Sequence, residues 1–319
     1  MKITILGAGN MGSVFAARLI DAGHDVSLVA RNARLRELET NGLRLRHQFG
    51  RKIEQYSPPV FAELTPELES DVIFVMVQRP HIDALMPALE AHPCKRICFL
   101  FNCSEIDPKW QAALGNRLVW GFPSAMGGTK DGIVSYVVLP GWLRFLQITT
   151  VGVAEGGDPE VAREIVKLLN GAKIASTFYE DMRGWLMTHT SLMLPGMALG
   201  EARYRAGKNQ KLSYKQAGQM ARAQQEGFAV VKAAGLRVGP MNLRLLSMLP
   251  AAVTTPFIWL LTQSPQYSRS LLDHVDHAHD EMQTMSAGIK ANAQRSGTAT
   301  PTLDLICPLD DPVLVPQPN

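Results

Sequence analysis

A glycine-rich loop near the start of the chain constrains the fold more than any other feature. The apolar run at residues 3–6 is followed by the loop Gly7-Ala8-Gly9-Asn10-Met11-Gly12, and a helical pattern begins at Ser13. A strand, a tight turn and a helix in this order, with this glycine spacing, are typical of dinucleotide-binding proteins. We therefore predict that all six loop residues contribute to binding a pyrophosphate at a helix N-terminus. The alternative is a purely structural turn.

A guanidinium group follows the second predicted strand, which covers residues 26–30. Arg31 stands where an NAD-binding protein places an acid for the ribose hydroxyl. Arginine forms charge-assisted, often bidentate bonds to phosphate, so Arg31 favours NADP(H) over NAD(H) through a ribose 2′-phosphate. Arg34, one helical turn later, is expected to assist. Alternatively, both arginines are solvated surface cations.

Two periodicities divide the chain. The runs at residues 71–77 and 96–102 are apolar except at their ends and are typical of central parallel strands covered on both faces. Further strands are predicted at 118–122, 133–138, 145–150 and 173–179, with a hairpin over 42–58 that embellishes the same sheet. Beyond residue 180, apolar residues recur at spacings of three and four. We predict an α/β N-terminal Rossmann-type domain over residues 1–179, followed by an all-α C-terminal domain over residues 180–319.

Polar residues stand at the ends of two predicted central strands. Gln78 follows the run at 71–77, and Asn102 ends the run at 96–102. Ligands in such sheets bind at the carboxyl ends of the strands. We therefore expect Gln78 to line the cofactor crevice and Asn102 to lie at the nicotinamide end.

Composition argues against several classes of partner. The net charge of +3, without a long block of one sign, indicates neither nucleic acid nor an anionic membrane surface. The apolar stretch at 248–261 contains two prolines and is shorter than the roughly 20 residues that span a bilayer. Four cysteines without a C-x-x-C pair are expected to be buried free thiols. With no signal-peptide pattern, they predict a reduced, cytoplasmic setting.

The glycine loop, Arg31, Asn102 and a helical second domain ending in SGTATPTLDL together resemble the ketopantoate reductase (2-dehydropantoate 2-reductase) family. The resemblance implies an NADPH-dependent oxidoreductase of pantothenate biosynthesis, which reduces a small 2-oxo acid or related ketone by hydride transfer in an interdomain cleft. It also implies that Arg31 meets the 2′-phosphate, Asn102 holds the nicotinamide side and Glu281 is a substrate-site carboxylate.

The first helix of the second domain departs from that family. Its members carry a W-x-K-type segment whose lysine acts as general acid. That lysine falls at Leu186 when Pro195 anchors the comparison, and at Met187 when Trp185 does. Neither side chain donates a proton, so we predict a diverged active site.

Other family positions differ as well. With Pro195 as anchor, Thr190 and Leu194 replace two substrate-binding asparagines, and a second family lysine falls at Gln78. Leu186, Met187 and Leu194 are expected to make the pocket more apolar. His189 has a side-chain pKa suited to proton donation near neutral pH and is the candidate substitute acid. The alternative is a hydrogen-bonded histidine without a chemical role.

Two alternatives stay open. His274, His277 and Glu281 share one helical face, which is compatible with a metal site, but a solvated polar face explains the same spacing and no metal is predicted. The leading functional hypothesis is an NADP-dependent oxidoreductase with a small carbonyl substrate. The competing hypothesis is a non-catalytic NADP-binding sensor or interaction protein. A homodimer formed through the helical domain is also left open.

Overall fold

The computed structural model describes residues 1–48, 50–124, 126–137, 148–207, 211–264 and 279–309. Its strands are β1 Lys2–Leu6, β2 Asp25–Val29, β3 Leu43–His47, β4 Ile53–Tyr56, β5 Val60–Phe61, β6 Val72–Val75, β7 Ile97–Leu100, β8 Leu118–Phe122, β9 Met126–Lys130, β10 Ile133–Val137, β11 Thr149–Gly152 and β12 Ser176–Tyr179. Its α-helices are α1 Asn10–Asp21, α2 Asn32–Asn41, α3 Met86–Ala91, α4 Pro108–Leu114, α5 Pro159–Gly171, α6 Met182–Arg205, α7 Tyr214–Ala233, α8 Met241–Leu246, α9 Ala251–Thr262, α10 His279–Ser296 and α11 Pro301–Ile306.

An eight-stranded sheet forms the centre of the amino-terminal part, in the order β12-β11-β8-β7-β6-β1-β2-β5. The six strands β8, β7, β6, β1, β2 and β5 run parallel to their neighbours in the sheet. Strand β11 runs antiparallel to β8. Strands β6 and β7 are buried along their whole length, as expected of strands covered on both faces. The predicted α/β domain is confirmed, and its central strands lie where the apolar runs place them.

A second sheet was not predicted. The hairpin β3–β4 does not extend the main sheet but joins β9 and β10 in a separate four-stranded sheet, in the order β4-β3-β10-β9. The turn of the hairpin includes Phe49, which lies outside the described residues. Strand β9, with the sequence MGGTK, was missed because glycine has low intrinsic strand propensity. Strand β9 is stabilised by its pairing with β10 and not by the strand propensity of its own residues.

The chain forms two compact units. The first contains Met1–Phe101 and Asp107–Met182, and the second contains Asn102–Ile106 together with the chain from Arg183 onward. The second unit is helical, as predicted, and its core joins α6, α7 and α10 through Met187, Leu194, Phe228 and Ile289. The sequence placed residues 102–106 in the first domain; in the structure this segment belongs to the helical unit.

Several boundaries differ from the sequence-based expectations. The strand expected at 145–150 begins at Thr149, and residues 145–147 lie outside the described chain. Helix α10 is described from His279 onward, so His274 and His277 also lie outside the described residues. All four cysteines are buried and free, which confirms that prediction. Among the described helices, none is long and apolar enough to cross a membrane.

Candidate functional site

The loop after β1 has the geometry that its glycines predict. Gly7 has a φ of 111°, and a Cβ atom there would lie 2.6 Å from the carbonyl oxygen of Met76. A Cβ atom at Gly12 would lie 2.0 Å from the carbonyl oxygen of Gly7. Only glycine therefore lets the chain turn at Gly7 and lets the start of α1 approach β1 so closely.

Gly9, by contrast, faces open space. Within the described chain, no atom lies within 4 Å of the position that a Cβ atom would occupy. Gly9 is the N-cap of α1, which has no side-chain cap and no acidic residue in its first turn. A helix start of this kind carries partial positive charge on its N–H groups and binds anions. The residues present therefore fit a pyrophosphate, which could approach the backbone at Gly9.

Arg34 ties α2 to this loop. Its Nε atom donates a hydrogen bond to the carbonyl oxygen of Ala8 at 2.8 Å, and Nη2 donates to Oγ of Ser13 at 3.0 Å. Its Nη1 atom forms an ion pair with Glu37. The guanidinium is thus committed to the loop, which corrects the expectation that Arg34 assists at a ribose phosphate.

Arg31 stands at the same edge of the sheet with its side chain exposed. It is the N-cap residue of α2, two positions after the end of β2 at Val29. The register pairs Val29 with Leu6, so Arg31 and the glycine loop follow neighbouring strand ends. The Arg31 side chain forms no hydrogen bond or ion pair with the part of the chain that the structure describes. Its assignment to a 2′-phosphate stays a prediction.

The other predicted cofactor residues surround this edge. Asn10 accepts a hydrogen bond from the Thr129 hydroxyl of β9. Ala8 is buried, and Met11 packs partly buried against the core of the first unit. Gln78 is half-buried and follows β6, the neighbour of β1 in the sheet. Ala8 and Met11 can therefore contribute to a cofactor site mainly through backbone atoms.

Asn102 begins the segment Asn102–Ile106, which packs within the helical unit. The Thr190 hydroxyl of α6 donates a hydrogen bond to the carbonyl oxygen of Cys103 at 3.3 Å. Glu105 forms an ion pair with Arg295 of α10 at 2.5 Å. The segment after β7 is therefore held by α6 and α10.

Glu281 is half-buried in the first turn of α10. Seven residues later, Gly288 packs so closely on Ser104 that a Cβ atom would lie 2.0 Å from the serine Oγ. Arg295, a further seven residues along, pairs with the same segment, Asn102–Ile106. Residues seven apart lie on one face of a helix, about 10 Å apart along its axis. Glu281 therefore shares the α10 face that packs against the segment begun by Asn102.

The two positions at which the family resemblance places a lysine, Leu186 and Met187, lie on different faces of helix α6. Met187 and Leu194 belong to the core of the helical unit rather than to a pocket lining, which corrects that expectation. Leu186 is also buried, but it lies one turn before Thr190, whose hydroxyl contacts the segment Asn102–Ile106. Of the two positions, Leu186 is therefore the one on the face toward Asn102.

His189 lies in an environment that opposes proton donation. Its ring stacks on the Trp185 indole, with centroids 5.0 Å apart and an interplanar angle of 7°. Although part of the residue remains exposed, burial of the ring lowers the His189 pKa to about 4. The neutral imidazole is therefore the favoured form at neutral pH. The geometry does not support His189 as the proton donor at neutral pH.

The sequence is similar to one enzyme family over its amino-terminal part. Residues 3–154 match the family described as ketopantoate reductase PanE/ApbA. The 2-dehydropantoate 2-reductase of Mesorhizobium japonicum is 34% identical over 142 residues, covering 44% of this chain and 39% of that protein. The enzyme of the same name from Pyrococcus horikoshii is 26% identical over 191 residues, covering 60% of each chain. The matches span 39% to 60% of the length of these relatives.

Solved structures extend the likeness of fold to nearly the whole chain. D-mandelate dehydrogenase, solved with NADH and anilino(oxo)acetate, has a TM-score of 0.72 at 17% identity and covers 99% of this chain and 97% of its own. The 2-dehydropantoate 2-reductase from Methylococcus capsulatus has a TM-score of 0.72 at 20% identity, covering 96% and 94%. At these identities the likeness shows a shared fold.

Proposed function

We propose that this chain is an NADPH-dependent oxidoreductase of the ketopantoate reductase family, which reduces a small 2-oxo acid or related ketone. The observation that carries the proposal is the strand edge where the open backbone of Gly9, the start of α1 without a side-chain cap and the exposed Arg31 follow neighbouring strands. This arrangement is suited to a pyrophosphate and a ribose 2′-phosphate. The named activity of the matched relatives supports carbonyl reduction as the chemistry.

Each part of the loop has a separate role in this proposal. Bound NADPH would supply a hydride from its nicotinamide ring. The N–H groups at the start of α1 hold the pyrophosphate, and Gly9 leaves room for its approach. Arg31 binds the 2′-phosphate, while Arg34 keeps the loop in shape through Ala8 and Ser13. Arg31 therefore provides cofactor preference, and Arg34 provides rigidity that serves both NADPH and NADH.

In this proposal, the residues that bind the substrate belong to the helical unit. The packing of the segment Asn102–Ile106 against α6 and α10 supports a polar site that includes Asn102 and Glu281. In the proposal, Asn102 and Glu281 orient the polar groups of the substrate. Because the close Gly288–Ser104 contact leaves no room for a side chain, α10 can hold this segment in one position.

We further propose that proton donation is weak when ketopantoate is the substrate. Hydride transfer develops negative charge on the carbonyl oxygen, and a positioned donor contributes about 10²–10⁴-fold to such a step. Leu186 cannot donate a proton, Met187 packs in the core, and His189 is neutral at neutral pH. The native substrate is therefore expected to differ from ketopantoate or to be reduced slowly.

The same observations favour a second candidate function. A protein that keeps the phosphate-binding loop and lacks a positioned acid could bind NADPH as a sensor or an interaction module without turnover. This candidate predicts NADPH affinity without substrate-dependent NADPH oxidation. The primary proposal predicts both.

Turnover measurements separate the two candidates. NADPH oxidation by the purified protein is followed with a panel of 2-oxo acids that differ in the size of the side chain, with ketopantoate included. Oxidation that depends on one of these acids, and that falls at least tenfold in Glu281→Gln with the fold retained, supports the enzyme. NADPH binding without turnover on any acid would favour the non-catalytic candidate.

A further inference from the structure

A cavity opens in the first unit at the amino-terminal ends of the parallel strands β1, β6 and β7. Its volume is about 450 Å³, within the range of roughly 300–1,000 Å³ that small-molecule sites take. All the residues that line it belong to the first unit. The glycine loop follows the other end of β1, a strand that spans roughly 17 Å. The cavity is therefore separate from the proposed cofactor site.

The floor of the cavity is apolar. Val72 at the start of β6 and Ile165 of α5 are both buried, and Leu168 of α5 packs against the core of the first unit. Ile165, Leu168 and Gly171 follow one another at intervals of three residues, so they share one side of α5. At Gly171 no atom of the described chain lies within 4 Å of the position that a Cβ atom would occupy. The absence of a side chain at Gly171 therefore leaves room in the cavity.

The charged side chains that line the cavity leave a surplus of positive charge. The Nε atom of Arg96 donates a hydrogen bond to the Glu164 carboxylate at 2.7 Å. The Arg96 Nη groups and the Lys167 ammonium group form no hydrogen bond or ion pair with the described residues. Burial lowers the pKa of His24, which also lines the cavity, so its imidazole is neutral near neutral pH. Arg96 and Lys167 therefore offer open donors, and the two cations exceed the single anion, Glu164, by one charge.

We propose that this cavity binds a small carboxylic acid with an apolar body, in its anionic form. The body packs on the apolar floor, where its burial is favourable. The planar Nη donors of Arg96 match a carboxylate, and Lys167 adds a second charge-assisted contact. One negative charge balances the surplus, whereas a doubly charged phosphate would place excess negative charge beside Glu164. A monocarboxylate therefore fits the cavity better than a phosphorylated ligand does.

Isothermal titration of the full chain with sodium octanoate, without cofactor, tests the proposal. Wild type is expected to bind a single octanoate and to bind octanol at least about tenfold more weakly, because octanol lacks the carboxylate. The cation octylammonium should not bind. Lys167→Ala should lower the octanoate affinity by about tenfold. Lys95→Ala is the matched control, since Lys95 is exposed but does not line the cavity, and it should leave the affinity unchanged.

Gly171→Leu tests the apolar part of the site. The leucine side chain should occupy the space of the ligand body and lower the octanoate affinity by at least about tenfold. The fold should be retained, because a Cβ atom at Gly171 meets no atom of the described chain within 4 Å and the residue does not have a positive φ. Melting temperatures close to that of wild type establish this. The NADPH affinities of Gly171→Leu and Lys167→Ala should equal that of wild type, because the glycine loop follows the other end of β1.

Failure of wild type to bind octanoate would overturn the proposal. An octanoate affinity that both Lys167→Ala and Gly171→Leu leave unchanged would overturn it as well, and equal affinities for octanoate and octanol would contradict a carboxylate site. The exposed apolar side chains of α9 offer octanoate another place to bind, so Phe257, which is 71% exposed, is also substituted. Binding that is lost in Phe257→Glu and retained in Gly171→Leu would assign octanoate to α9 and overturn the cavity site.

Discussion

The Nε atom of Arg34 donates a hydrogen bond to the carbonyl oxygen of Ala8 at 2.8 Å, so a side chain of α2 holds the middle of the glycine loop. The same guanidinium reaches Oγ of Ser13, in the first turns of α1. Arg31, three residues earlier, is exposed and makes no such contact with the described chain. Two arginines one helical turn apart therefore have separate roles. Their alanine variants should differ in how they change the affinities for NADPH and NADH.

Arg34→Ala is expected to weaken NADPH and NADH binding by similar factors, because loss of the contacts to Ala8 and Ser13 loosens the loop for either cofactor. Hydrogen bonds from a charged group are each worth about 1.5–3 kcal/mol, so the loss should be about tenfold or more. Isothermal titration with both cofactors measures it. A loss confined to NADPH would instead place Arg34 at the 2′-phosphate, as the sequence first indicated.

Gly9→Ala and Gly12→Ala should fail in different ways. A methyl group at Gly9 meets no atom of the described chain within 4 Å, so the melting temperature should stay close to that of wild type while cofactor affinity falls. At Gly12 the added Cβ atom would lie 2.0 Å from the carbonyl oxygen of Gly7, so the protein itself should be destabilised. Thermal melts with and without NADPH compare the two. If a folded Gly9→Ala variant bound NADPH with wild-type affinity, the result would contradict the assignment of the pyrophosphate to this loop.

Leu186→Lys is expected to raise ketopantoate reduction, whereas Met187→Lys is expected to destabilise the fold. Leu186 is also buried, but it lies on the face of α6 that contacts the segment Asn102–Ile106, so a lysine there could serve a nearby carbonyl provided that its ammonium group reaches this segment. Met187 packs with Phe228 in the core, where an unpaired ammonium group is costly. Rates and melting temperatures of both variants test this. A folded, faster Met187→Lys would contradict the assignment of the two faces.

His189 should make stability fall as the pH is lowered. Its pKa of about 4 in the folded protein lies below the ordinary value, so the folded state binds fewer protons than the unfolded chain. This contribution to stability is complete above the unfolded pKa of about 6.5 and is lost progressively as the pH falls toward 4. His189→Gln should therefore lose less stability than wild type between about pH 8 and about pH 5. Identical pH dependence of the two melting temperatures would argue against a buried, neutral imidazole.

The sequence predicted the parts of the fold that local patterns encode. Glycine spacing indicated the loop because the positive φ of Gly7 and the close contact of Gly12 with the Gly7 carbonyl oxygen both arise within the turn between β1 and α1. The apolar runs indicated β6 and β7 because both strands are buried on both faces.

Features that depend on distant contacts were not predictable in the same way. The helical position of Arg34 does not reveal that its guanidinium turns back to Ala8, 26 residues earlier in the chain. The His189 pKa depends on burial and on Trp185, whereas the residue type alone suggested an ordinary histidine. Residues 102–106 follow a strand of the first unit, but their hydrogen bond to Thr190 and ion pair to Arg295 join them to the helices.

Cofactor titration of wild type and Arg31→Ala is the most direct test of the central claim, that the strand edge next to the glycine loop binds NADPH. Wild type should bind NADPH more tightly than NADH. Arg31→Ala should lower the affinity for NADPH by about ten- to a hundredfold and change the affinity for NADH little, because only NADPH carries the phosphate that the guanidinium would contact. Equal affinity of wild type for both cofactors, or equal losses for both in Arg31→Ala, would contradict the account.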